Sequence, residues 1–183
     1  MYKLYIDLGK EKLTVRLTNE KENEIKYEEK IIQTENIDGI LYQDATDWWV
    51  MCAEIIRNIA ESGIVNKEEI KEIRLSGNKD GAVMLDEGFL PVCAAAVECP
   101  TPVNIIPGCK IILSPLSYLR YMLTGILTAQ KDEKIVKEAE DLPGITGGRI
   151  CDLSFEYFDL SKEAAFLMRL KRPVLVKSLE HNS

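Results

Sequence analysis

Through its first 31 residues the chain alternates apolar and polar side chains with a period of two. Tyr2, Leu4, Ile6 and Leu8 stand against Lys3, Tyr5 and Asp7; after Gly9-Lys10-Glu11, Leu13, Val15 and Leu17 stand against Thr14, Arg16 and Thr18. A helix would scatter these residues around its circumference, whereas a strand puts each set on one face. The spacing therefore predicts two strands joined by a tight hairpin. Asn19 to Asn23 ends the second, and Ile25, Tyr27 and Ile31 set against Lys26, Glu28 and Lys30 predict a third antiparallel strand, solvated on its outer face. A three-stranded meander has one apolar face to bury, and later elements must cover it.

Those elements follow. Asp44 is a helix N-cap with Asp47 in the first turn, and Trp48, Cys52, Ile55, Ile56 and Ile59 recur at helical spacing until Gly63. The Trp48-Trp49 pair reads as helix packing. Ile70, Ile73 and Leu75 lead as a buried strand into a loop at Ser76-Gly77; Ala82–Leu85 and Phe89–Val92 then flank Asp86-Glu87-Gly88 as a hairpin. Residues 93–109, with Pro100, Pro102 and Pro107, predict an irregular connection. Ile111–Leu113 reads as a short strand; Ser114 as N-cap, Pro115 at the first helical position, and Leu116, Leu119 and Leu123 give a helix ending before Gly125. Lys131–Leu142 predicts a charged surface helix, Ser161–Leu170 an amphipathic one and Val174–Val176 a last strand.

With 183 residues, 46% of them hydrophobic, the chain suits a single globular domain over 1–183 that needs no disulfide framework. Its 23 basic against 30 acidic residues give a net charge of -7 and no basic stripe, which argues against nucleic acid. The apolar runs are too short to span a bilayer, and Met1-Tyr2-Lys3-Leu4 carries no secretory signal, so the expectation is a cytoplasmic protein with no membrane partner. Five cysteines without a CxxC pair signal neither a zinc cage nor paired disulfides. The single histidine, His181, leaves no imidazole placed for triad hydrolysis.

Three strings carry a resemblance: Asp7-Leu8-Gly9; Gln43-Asp44-Ala45-Thr46-Asp47-Trp48-Trp49; and Leu113-Ser114-Pro115-Leu116-Ser117-Tyr118-Leu119-Arg120-Tyr121-Met122-Leu123-Thr124-Gly125. In these, and in Ile73–Gly77 followed by Gly81–Asp86, the chain resembles the N-terminal domain of the FGGY carbohydrate kinases, especially their xylulokinase-like branch. Leu142-Pro143 to Gly147-Gly148 and Arg172–Val176 resemble the segment that ends that domain. The implied fold is an α/β domain, ribonuclease H-like and of the actin-like ATPase type, with a mixed sheet, an antiparallel N-terminal meander and flanking helices.

What the resemblance implies for a site can be stated residue by residue. Phosphoryl transfer needs a phosphate cradle, a magnesium carboxylate and a base. Asp7 and Gly9 match the family's phosphate hairpin, with Asp7 as magnesium ligand and Lys10 as a phosphate partner; Lys10 and Glu11 replace small hydroxyl residues there. The same residues also read as a strand-end aspartate and an exposed turn lysine. Asn78, Lys79 and Asp80 stand where relatives place a Gln, a Met and a His on the sugar, and they equally form a polar turn. Glu180 falls where the catalytic aspartate would sit, although Lys177-Ser178-Leu179 before it lacks the family's glycines. By the same resemblance a sugar-closing lobe is expected to be deleted around 93–109, and the chain is expected to stop before a second domain.

Two functions follow. One is a binding or scaffold role for a sugar-kinase-like domain that does not transfer phosphate by itself, with no cofactor assigned and weak or absent ATP binding expected. The other is the N-terminal half of a split or truncated kinase using Mg-ATP to phosphorylate a sugar such as xylulose. Leu90, Val92 and Ala94–Val97 are expected to expose apolar surface for a homodimer or a second kinase-like chain.

Overall fold

The computed structural model describes residues 1–100 and 104–125, together with the backbone of strands at 128–130, 149–151 and 156–159. The alternating start forms β1 (Tyr2–Leu8), β2 (Lys12–Asn19) and β3 (Glu24–Ile31), paired antiparallel in that order. Leu4, Ile6, Leu8, Leu13, Val15 and Leu17 are each at most 1% exposed. Burial of each is worth roughly 1.5–3 kcal/mol, and a register slip of one residue would turn all of them outward. The pattern thus fixes which face turns in.

After β3 the chain makes a small hairpin, β4 (Glu35–Ile37) and β5 (Ile40–Gln43), before α1 (Ala45–Glu61). Asp44 caps α1 as predicted, accepting the Thr46 N–H at 2.8 Å. Trp48, Trp49, Cys52, Ile55, Ile56 and Ile59 form its buried stripe. β6 (Ile70–Gly77) then lies parallel to β1, with Leu4 opposite Ile73 and Asp7 opposite Ser76. β7 (Val83–Leu85), β8 (Ala95–Ala96) and β9 (Ile111–Leu113) build two small sheets beside this layer, β8 on β5 and β9 on β7. α2 (Pro115–Thr124) starts at Ser114, whose hydroxyl accepts the Ser117 N–H at 3.1 Å, and stops at Gly125 with φ 76°. β10 (Thr128–Gln130) and β11 (Arg149–Cys151) pair in parallel, and β12 (Glu156–Asp159) runs antiparallel to β6. The main sheet is mixed, in the order β12-β6-β1-β2-β3.

Both helices cover one face of that sheet, α1 over β2 and β3 and α2 over β6, and they meet where Trp48 and Tyr118 stack edge-on at 6.3 Å. The other face carries a polar row. Arg16 lies opposite both Tyr27 and Tyr5, and Arg74 opposite Tyr5; the two guanidinium carbons sit 4.9 and 5.2 Å from the Tyr5 ring centroid.

Three expectations are corrected. On β3 the apolar set faces out: Ile25, Tyr27 and Ile31 are exposed, while Lys26, Glu28 and Lys30 are half-buried beside α1, where Lys30 pairs with Glu54. The reason is the open face, where Tyr27 continues the arginine–tyrosine row. Segment 93–109 is not wholly irregular, because β8 pairs with β5. Ala95, Ala96 and Val97 are consequently buried and not exposed; of the predicted apolar set Leu90, at 49%, and Ala94 are exposed and Val92 is half-buried. The helices expected at 131–142 and 161–170 and the strand at 174–176 lie outside the described residues.

Candidate functional site

Ligands of open α/β sheets bind beyond the carboxyl ends of parallel strands. Here those are the ends of β1 and β6, and the residues singled out from the sequence gather around them. Gly77 makes the approach of the two strands tight: its φ is +141°, and a Cβ there would stand 2.3 Å from the Leu8 carbonyl oxygen. Only glycine fits such a contact. The Asn78 N–H then donates to that same Leu8 oxygen at 2.7 Å.

Asp7, at the last turn of β1, is exposed, and the Ser76 hydroxyl donates to its Oδ1 at 2.6 Å. Its Oδ2 lies toward Gly9, 3.9 Å from where a Cβ on that glycine would stand. The turn Gly9-Lys10-Glu11 is pinned through its carbonyls. Gly9 N–H donates to Lys12 O at 3.0 Å, Ile32 N–H to Glu11 O at 2.8 Å, and the Gln43 amide to Lys10 O at 2.7 Å. The N–H groups of Lys10 and Glu11 have no acceptor among the described residues. The turn therefore leaves two backbone donors without a protein acceptor, the kind of group an anion seat uses.

The side chains around that seat are acidic. Lys10 Nζ reaches Glu98 Oε1 at 2.6 Å and Asp80 Oδ2 at 3.2 Å, bridging the turn to the loop after β6 and to the segment around 98. Its hydrogen bonds to Glu98 and Asp80 hold its pKa above the usual lysine value.

Asn78 is 7% exposed and serves the backbone on every side: its amide donates to Val97 O at 2.8 Å, its oxygen accepts the Asp80 N–H at 2.9 Å, and its own carbonyl accepts the Leu116 N–H at 3.0 Å. Lys79 is half-buried and Asp80 exposed beside it. Asp7, Gly9, Lys10 and Asp80 thus meet at one place, Asn78 shapes the loop beneath them, and Glu180 lies outside the described residues.

Magnesium fits this arrangement only through Asp7. A carboxylate oxygen on an open strand end suits an ion that keeps most of its waters. No cluster of three or more ligating side chains exists among the described residues, so the other ligands would be water and phosphate oxygens.

Sequence reasoning missed two residues. Glu98 gave no signal beyond its charge. Gln43 stood inside a quoted string but was not singled out; it is 3% exposed and tied to three different elements.

A family profile described as the FGGY family of carbohydrate kinases, N-terminal domain, matches residues 2–101. Among solved structures, the chain is similar to a ligand-bound xylulose kinase from Lactobacillus acidophilus, at TM-score 0.71 and 10% identity, covering 92% of this chain and 45% of that one. A gluconate kinase from the same organism gives TM-score 0.70 and 10% identity over the same shares. A xylulose-type kinase from Brucella ovis gives TM-score 0.66 and 18% identity over 75% of this chain and 37% of that one. The chain spans less than half the length of each of these kinases. No curated protein matches it in sequence. The shared fold is the ribonuclease H-like, actin-like ATPase α/β fold.

Proposed function

Since the chain belongs to the FGGY family of carbohydrate kinases, as an N-terminal domain, we propose that it is a ligand-binding and scaffold wall that does not transfer phosphate by itself. The observation behind this reading is the Lys10 bridge. A phosphate cradle needs its positive charge free for the ligand, and here the turn's own ammonium is engaged by Glu98 and Asp80. Those two carboxylates touch it, and Asp7 and Glu11 add two more acidic residues in and beside the same turn. Each carboxylate facing a phosphate oxygen at contact distance opposes binding by about 1 kcal/mol even at the dielectric of water. Polyphosphate affinity is therefore low. Asn78 is 7% exposed and its amide bonds Val97 O and the Asp80 N–H, so it offers little to a sugar hydroxyl; Asp80, exposed beside it, is the loop group nearest a polyol.

A second reading, as half of a kinase completed by another domain or chain, draws on the N–H groups of Lys10 and Glu11 and on the Asp7 carboxylate held by Ser76. In that reading Asp7, Gly9 and Lys10 take Mg-ATP and a sugar such as xylulose lies against Lys79 and Asp80. Leu90, Ile105 and Ile106, each more than a third exposed, supply apolar surface for a second copy or such a partner, in the cytoplasm.

Titration of 15N-labelled protein with MgATP separates the two. The first reading predicts small shifts at the Lys10 and Glu11 amides with no saturation in the millimolar range. Sub-millimolar saturation, abolished by Asp7→Ala, would overturn it in favour of the second.

A further inference from the structure

The residue that organises the β1–β2 turn belongs to neither strand of it. Gln43, the last residue of β5, is 3% exposed, and each part of its carboxamide is used. Its oxygen accepts the Trp48 indole N–H at 3.0 Å; its nitrogen donates to Lys10 O at 2.7 Å and to the Thr34 hydroxyl at 2.8 Å. The orientation of the amide is fixed by chemistry, because an indole N–H can only donate and a carbonyl can only accept. The turn itself has a single bond of its own, Gly9 N–H to Lys12 O, and its other anchors come from Ile32 and Gln43.

We propose that Gln43 is a positioning residue: by holding the Lys10 carbonyl beneath the turn it aims the Lys10 and Glu11 N–H groups outward, and it locks the turn to the first turn of α1 through Trp48. No other side chain of similar size does this. Glutamate keeps an acceptor for Trp48 and can accept from the Thr34 hydroxyl, but it sets an oxygen against the Lys10 carbonyl; methionine keeps the volume and loses all three bonds. A buried group left without its partner bears its full desolvation penalty, so the turn would leave its seat before tolerating the mismatch. The consequence for anions rests on the reading of this turn as an anion seat; the positioning itself does not.

The test is amide hydrogen exchange by NMR on the full chain, comparing wild type with Gln43→Glu and Gln43→Met. Exchange of Gly9 and Ile32, whose N–H groups bond Lys12 O and Glu11 O across the turn, is expected to accelerate by at least about tenfold relative to amides in the centre of α1, the equivalent of about 1.4 kcal/mol of local opening. In Gln43→Glu the indole N–H of Trp48 keeps its protection. Turn and helix amides accelerating in parallel, or not at all, would overturn the proposal. If neither variant folds, wild type decides it: a through-hydrogen-bond coupling from Gln43 Nε2 to the Lys10 carbonyl carbon is expected, and its absence refutes the claim. Inorganic pyrophosphate, added to wild type, tests the anion seat separately. Unmoved Lys10 and Glu11 amides would sink that reading and leave the exchange result standing.

Discussion

Replacing Gly77 with alanine asks whether the close meeting of β1 and β6 is needed to hold the site. Its φ of +141° lies where side-chain-bearing residues rarely go, and the added Cβ meets the Leu8 oxygen at 2.3 Å and the Leu8 carbon and nitrogen at 2.8 Å. All three are backbone atoms, so no side chain can rotate away. The backbone strain is about 1–3 kcal/mol. Parting the strands also loses the Asn78 N–H to Leu8 O bond, worth about 1 kcal/mol. Against these stands a gain of about 0.4–1 kcal/mol from the stiffer unfolded chain. The net expectation is a loss of about 2 kcal/mol, a large part of a typical domain's 5–15. Urea unfolding followed by fluorescence of the buried Trp48 and Trp49 measures it. With a slope of about 2 kcal/mol per molar, the midpoint should fall by about 1 M. A fall of less than about 0.5 M would refute the packing described at this strand end.

Further outcomes follow from the same structure. Asn78→Ala strands the buried Val97 carbonyl and frees the loop over α2, and it should cost about 2 kcal/mol in chemical denaturation. Burial pushes the Cys52 thiol from 9.0 up to about 12; between those values the unfolded chain releases a proton that the native state keeps. Stability should therefore fall with rising pH by about 1.4 kcal/mol per unit in that window, and Cys52→Ala should flatten the slope. A thiol reagent at neutral pH should modify the half-exposed Cys93 and Cys109 well before the buried Cys52. Leu90→Asp, at an outward position, should abolish any self-association seen by sedimentation without lowering the unfolding midpoint. Unchanged association would move the contact elsewhere.

The parts of the fold legible in the sequence were those whose cause is local. The meander declared itself through Leu4, Ile6, Leu8, Leu13, Val15 and Leu17, and both helices through capping residues, Asp44 for α1 and Ser114-Pro115 with Gly125 for α2. The β4–β5 hairpin was missed although its signal was present: Asp38-Gly39, with φ of 52° and 85°, is a two-residue turn of the kind that joins twisted strands. Its strand Glu35–Ile37 is exposed throughout, so no apolar period marked it. β8 consists of two alanines, residues with little strand preference, and its pairing is decided by β5.

Within the candidate site, Asp7, Gly9, Lys10 and Asp80 were singled out through the resemblance to the family's phosphate hairpin and substrate loop, and the structure sets Lys10 3.2 Å from Asp80. Asn78 was read both as a candidate sugar contact and as part of a polar turn; its amide bonds Val97 O and the Asp80 N–H, the first a contact 19 residues away in sequence. Gln43 and Glu98 reach the turn from 33 and 88 residues away, and no local pattern encodes such contacts.

The most direct test of the account is to incubate the purified chain with MgATP and a panel of ketoses and polyols and to follow sugar phosphate by 31P NMR. A turn whose lysine is bound by two carboxylates should yield no sugar phosphate at any concentration of protein. Steady turnover that disappears in Asp7→Ala would contradict it.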